Sequence, residues 1–152
     1  MSKSKKLTKI FKKFGISKVK KGENFEYNFE NNVITFCPTV DSIADRHFTE
    51  FIAERFGYKK DYPFALSLLH EVGHSKNNEE IVDNIYAFCI GEKFKIQKAL
   101  NKTADDDNER IKELDYRYFN LPDEIMATAW AVNYAGKHPK QVKKIEQVFR
   151  EG

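Results

Sequence analysis

Apolar residues recur along this chain at spacings that predict a string of helices broken by one stretch of alternation. Leu7, Ile10, Phe11 and Phe14 fall at i, i+3, i+4 and i+7, one face of an amphipathic helix that should end at Gly15. From Phe25 to Phe29 apolar and polar residues alternate, Glu30-Asn31-Asn32 offers turn chemistry, and Val33-Ile34-Thr35-Phe36 is a β-branched run. Together they predict a β-hairpin closed by Pro38. A second helix, capped by Asp41 or Ser42 and stopped by Gly57, would bury Ala44, Phe48, Phe51, Ile52 and Phe56. His47 sits beside that face and reads as a packing or surface residue.

Proline suits a first helical turn, so Asp61-Tyr62-Pro63 opens a third helix with Ala65, Leu66, Leu69, Val72 and Gly73 on its apolar stripe. Asn77-Asn78 breaks it. Ile81, Ile85, Phe88 and Cys89 mark a fourth helix, without a clear course past Gly91. Asp105-Asp106-Asp107-Asn108 reads as an acidic loop or cap, and Ile111, Leu114 and Tyr118 mark a fifth helix. Leu121-Pro122 opens a sixth that carries Trp130 into the core, and Pro139 starts a last one with Val142, Ile145 and Phe149 on its face. The expected class is α+β: one mostly helical domain with a small antiparallel sheet, residues 1–22 being its basic helical start.

Composition narrows the classes. A chain of 152 residues, 41% hydrophobic and 32% charged, can build one core without a disulfide. No apolar run approaches the ~18 residues of a membrane span. Lysines break up the apolar residues of the N-terminus, against a secretory signal, and arginine is absent there, against a mitochondrial presequence. Cys37 and Cys89 form no CxxC pair and read as two buried thiols in a reducing cytoplasm. The net charge of +3 hides a split. Residues 1–22 hold nine lysines and no acid, which leaves 17 of the 26 basic residues against all 23 acids, −6, in the remainder.

The candidate chemistry lies on the third helix, in His70-Glu71-Val72-Gly73-His74, an HExxH. Residues four apart share a helical face, so both imidazoles can reach one divalent ion, with Glu71 placed to take a proton from water on it. A zinc site of this kind needs a third protein ligand. After His74 the chain reads Ser75-Lys76-Asn77, which excludes the metzincin continuation. The best candidate is Glu124 in the sixth helix, because Ala127, Thr128 and Ala131 make a strip of small residues beside it that lets two helices approach closely. Asp123, Asp83, Glu80 and His138 are its rivals. His138, Tyr134 and Tyr118 are candidates for stabilising an oxyanion.

The HEVGHS stretch, followed by a helix of the form E-x-x-A-x-x-aromatic-A, resembles the zincin peptidases of the ImmA/IrrE type and is similar to the metalloprotease-like domain of ArdC-type antirestriction proteins. The resemblance spans roughly residues 25–135. It implies a zincin-like fold and a zinc ion held by His70, His74 and Glu124, with Glu71 as general base. It also implies that the strand over Val33–Phe36 lines the substrate cleft. The implied activity is hydrolysis of a peptide bond in a protein partner, such as a repressor or regulator, in the cytoplasm of a bacterium or a phage-infected cell. Two features depart from the family: residues 75–123 make a longer gap than is usual, and no helix-turn-helix is visible. The alternative is a catalytically silent zincin-like binding module of a phage or mobile element, whose basic start suggests nucleic acid as a secondary partner, bound in a salt-dependent way without base-specific reading. The simpler reading of that start is a helix packed on the sheet with its lysines in water.

Overall fold

The structure, a computed structural model, describes residues 1–39, 43–77 and 83–151. The expected cap at Asp41 or Ser42, the side chain of Ala44, and Asn78, Glu80 and Ile81 lie outside the described residues. The described chain forms α1 (Lys3–Phe11), a 3-10 turn (Lys12–Phe14), β1 (Lys18–Lys21), β2 (Glu26–Asn28), β3 (Val33–Phe36), α2 (Ile43–Phe56), α3 (Pro63–Asn77), α4 (Asp83–Asn101), α5 (Asn108–Phe119), α6 (Pro122–Lys137) and α7 (Pro139–Glu151). It is mostly helical α+β, as expected.

The helix α1 forms because its apolar spacing gives it a seat. Leu7 and Phe11 are fully buried, and Phe14 joins them from the following turn. Gly15, at φ 83°, closes that turn in the left-handed region, which costs a glycine little. Burying each such side chain is worth about 1.5–3 kcal/mol, more than the weak intrinsic preference of a short helix. The same core takes Val19, Ile34 and Phe36 from the sheet, Leu66, Leu68, Leu69 and Val72 from α3, and Val142, Ile145 and Phe149 from α7. The α7 residue Glu146 accepts the Ala65 backbone N–H at 2.9 Å and the Arg150 Nε–H at 2.8 Å. It thereby satisfies an orphan donor in the first turn of α3 and fixes the start of the HExxH helix.

The sheet corrects the sequence reading. It is mixed, not antiparallel, in the order β1-β3-β2. The expected hairpin exists, since β2 runs antiparallel to β3 with Tyr27 opposite Ile34. A third strand, β1, pairs parallel with β3, Val19 opposite Ile34. Its sequence carries no strand signal, because Lys18-Val19-Lys20-Lys21 offers a single apolar residue. The outer edge of β1 is covered, for Val19 N–H donates to Thr8 Oγ1 of α1 at 2.9 Å. The other edge of the sheet is β2. The Val33–Phe36 strand is therefore central, and the strand that lines the cleft described below is β2.

The fourth helix runs unbroken through Gly91, and its buried face differs from the expected one. Cys89 and Ile96 are buried, whereas Ile85 and Phe88 are exposed. Cys37, expected to be buried, is half-buried. The acidic loop does supply a cap: Asp107 accepts the Arg110 N–H at the start of α5.

Candidate metal centre

The centre is set by the crossing of α3 and α6. Gly73 lies against Ala127 so closely that a Cβ would meet the Ala127 carbonyl oxygen and lie 2.8 Å from its Cα. The small strip read from the sequence is therefore answered by a glycine on the other helix. Ala127, Thr128 and Ala131 are buried in this seam. The close crossing carries Glu124, in the first turn of α6, over His70 and His74. Glu124 Oε1 lies 2.9 Å from His70 Nε2, and Oε2 lies 3.2 Å from His74 Nε2. The two imidazole rings are perpendicular, with centroids 4.7 Å apart.

Among the rivals for third ligand, Asp123 comes nearest. Its carboxylate shares a reach of 4.8 Å with His74 and Glu124. One of its oxygens accepts the Glu124 N–H and the other accepts from Lys93. Glu124 is the acid that meets both imidazoles. Asp83 is exposed at the start of α4, and His138 ends α6 stacked on Tyr134 at 4.4 Å. Glu80 lies outside the described residues.

The hydrogen bonds around His70 fix which of its nitrogens faces the centre. Thr128 Oγ1 donates to the Glu124 backbone carbonyl at 3.0 Å, so toward His70 Nδ1, 2.9 Å away, it can only accept. Nδ1 therefore carries a proton and Nε2 points at the Glu124 carboxylate. A bare Nε2 and a carboxylate oxygen 2.9 Å apart repel unless a proton or cation lies between them. This arrangement, in which a second group orients a ligating histidine, is the usual support of a metal-binding imidazole. Ligands 2.0–2.2 Å from a tetrahedral ion lie roughly 3.3–3.6 Å apart, so the two nitrogens and the carboxylate need only small adjustment. The donor set could hold a divalent cation.

Glu71 sits beside this cluster, within 4.8 Å of the ligand atoms of His70 and His74. It is 6% exposed. Burial pushes its carboxyl up to about 7, against the opposing charges of His70 and His74. Burial works against a charged His74, yet its hydrogen bond to Glu124 and the charges of Glu124 and Glu71 outweigh this and raise it to about 9. For Glu124 burial is outweighed in turn by its bonds to His70 and His74, which hold it well below the ordinary carboxylate range.

Lys93 is the site residue that sequence reasoning missed. Its ammonium donates to Glu124 Oε2 at 2.8 Å and to Asp123 Oδ2, and lies 5.3 Å from the centre of the Tyr118 ring. A signal existed: Lys93 lies on the same face of α4 as the buried Cys89 and Ile96, four before and three after it, where a lysine is out of place without a counter-charge. Burial opposes its charge, but Glu124 and its neighbours raise its pKa overall.

The centre opens into a cleft of about 960 Å³, lined by β2, by Phe29 and Tyr86 at its flanks, and by Lys93, Tyr118 and Asp115. Of the three oxyanion candidates, Tyr118 alone is in this cleft. Tyr134 packs with Trp130, Phe14 and His138 elsewhere. Burial, then the Glu124 charge, raise the Tyr118 pKa, so it stays a donor. His47 is buried, with Nδ1 2.7 Å from Asp115 Oδ2, and ties α2 to α5. Its neighbour Phe48 packs edge-on to His70 at 5.3 Å.

The chain matches no protein-family model, no curated protein and no solved structure at a level that supports an assignment.

Proposed function

We propose that this chain is a zinc-dependent metallopeptidase of the HExxH-plus-Glu kind, acting on an extended segment of a protein partner. The observation that carries the reading is the committed Nδ1 of His70. With that nitrogen given to Thr128, Nε2, His74 Nε2 and the Glu124 carboxylate converge on one point that calls for a cation. The resemblance of the HEVGHS and Glu124 segments to the ImmA/IrrE-type zincins supports it, as does that pattern's expectation of a regulator protein as substrate in a bacterial or phage-infected cytoplasm.

A bound ion would supply Lewis acidity toward the scissile carbonyl and lower the pKa of a water toward ~7. Glu71, buried and raised to about 7, would act as the general base that takes a proton from the attacking water. The same carboxyl would return that proton to the departing amine nitrogen as the C–N bond breaks. Tyr118 offers a hydroxyl donor within the cleft. The open edge of β2 can take an extended peptide by strand addition.

The test is metal content first and cleavage second. The purified chain should hold about one zinc per molecule. His70→Ala should lose it while Glu71→Gln keeps it. Glu71→Gln should also slow cleavage of an unfolded protein substrate by about 10²–10⁴-fold. Zinc binding that survives His70→Ala and Glu124→Ala unchanged would sink the proposal.

A further inference from the structure

We infer that the face built by α1, β1 and α7, away from the metal centre, binds the phosphate backbone of a nucleic-acid duplex. The fold places two acid-free, lysine-rich segments side by side: residues 1–22, and residues 137–144, which read Lys-His-Pro-Lys-Gln-Val-Lys-Lys. They are distant in sequence, so the sequence shows two basic segments and the structure one basic surface. Lys3 Nζ lies 4.5 Å above the Phe149 ring near the end of α7, and Lys13 Nζ lies 5.9 Å from Tyr134, just before α7 begins. These contacts set α1 antiparallel along α7.

The lysines point outward. Leu7 and Phe11 hold the inner side of α1, which leaves Lys5, Lys6, Lys9, Lys12 and Lys13 exposed. Lys18, Lys20 and Lys21 continue the charge along β1. On α7, Val142, Ile145 and Phe149 face the core, and Lys140, Lys143 and Lys144 are exposed, with Lys137 just before them. Among the described residues the ion pairs lie on α2, α3, α4, α5 and α6, apart from Arg150–Glu146 within α7. Glu146 is turned inward onto α3, and Glu151 is the other acid of α7, at its far end. Among the described residues no ion pair engages the lysines of α1, β1 or α7.

The chemistry selects the partner. Single-strand binders need exposed aromatic platforms. The exposed large apolar side chains of the described chain are Met1, Phe29 and a group on α4, so beyond Met1 this face has none. A membrane-surface helix must offer its apolar face to lipid, but that of α1 is spent on the core. Lysines are point charges without the forked geometry that reads guanine edges. What remains is backbone neutralisation, which is sequence-independent and steeply salt-dependent.

The experiment titrates the full chain into a short fluorescein-labelled DNA duplex of mixed sequence, followed by anisotropy over a series of KCl concentrations. Engagement of about six lysines gives a log–log salt slope near −5. A duplex of unrelated sequence should bind within about twofold. The triple variant Lys140→Gln, Lys143→Gln, Lys144→Gln should flatten the slope by about 2–3. Lys5→Gln, Lys9→Gln, Lys12→Gln should do the same, with the far-ultraviolet circular dichroism of both variants unchanged. The inference is overturned by absence of binding at low salt, or by a slope that the α7 variant leaves intact. Tighter binding to the corresponding single strand, or to phosphatidylserine-containing vesicles, overturns it as well.

Discussion

Where α3 meets α6 the two backbones nearly touch at Gly73 and Ala127, and the residues in the seam are buried. Across the cleft, α4 commits Cys89 and Ile96 to the interior and leaves Ile90 50% and Phe94 65% exposed. Both helices bring a charged group to the candidate centre: α6 brings Glu124, α4 brings Lys93. The first is held by backbone packing that admits no extra atom, the second mainly by its ion pairs and a small cluster of Ile96, Leu114 and Leu121. The contrast teaches that a carboxylate can be placed by the shape of a seam, while the charge that pairs with it rides on a helix with few buried contacts. Few buried contacts mean low local stability and easier opening.

The sharpest way to break the seam is Gly73→Ala. Its methyl meets backbone rather than a movable side chain, so stability should fall by about 1–3 kcal/mol or more. Zinc affinity should fall with it, because Glu124 shifts away from the histidines. Chemical denaturation and competition with a chelator read the two effects. A variant of unchanged stability with full zinc binding contradicts the crossing described here.

On the α4 side, Lys93→Met removes the cation between Asp123 and Glu124. The metal-free protein should lose about 1–3 kcal/mol, since buried carboxylates are left without their partner. Zinc should then stabilise this variant more than the wild type, the ion replacing the lost charge. Equal zinc-induced shifts in thermal midpoint would show that Lys93 does not act on the site electrostatically.

The pH dependence follows from the same groups. His74 is raised from 6.5 to about 9 in the folded chain, so its contribution is full below 6.5 and is lost as pH rises through 9. Glu71, raised from 4.5 to about 7, acts in the same direction over that lower range. Glu124 opposes them: held low, it contributes above 4.5 and loses that contribution as pH falls through its depressed value. Chelator-treated protein should therefore melt at a lower temperature at pH 9 than at pH 6, and added zinc should reduce the difference by taking the place of the protons. A melting point that rises on going to pH 9 without metal would contradict this assignment.

The smallest effects belong to the outer face of α4. Ile90→Lys and Phe94→Lys should change stability by less than about 0.5 kcal/mol. Amide exchange should nonetheless separate the walls, with α4 exchanging faster than α3. Equal protection along both would remove the contrast.

Much of the helical framework was legible because its signals are local. The α1 face from Leu7 to Phe14, the proline starts at Pro63, Pro122 and Pro139 and the cap at Asp107 each act within one or two turns. The parallel strand β1 was not, since its pairing with β3 is non-local and its sequence offers one apolar residue. The buried face of α4 was misread because apolar residues lie on several of its sides, and periodicity does not say which side meets the protein.

By itself the sequence determined that His70 and His74 share one face of a helix with Glu71 at its flank, because at 3.6 residues per turn residues four apart lie one above the other. It also put Glu124 beside residues small enough for another helix to approach. Only the tertiary structure decided that the approaching helix is α3 at Gly73, that Glu124 rather than Asp123 meets both imidazoles, and that Lys93 stands behind it. It alone joined the lysines of α1 to those of α7. These are contacts between segments far apart in the chain, set by how apolar faces and small residues fit together, and no local spacing encodes them.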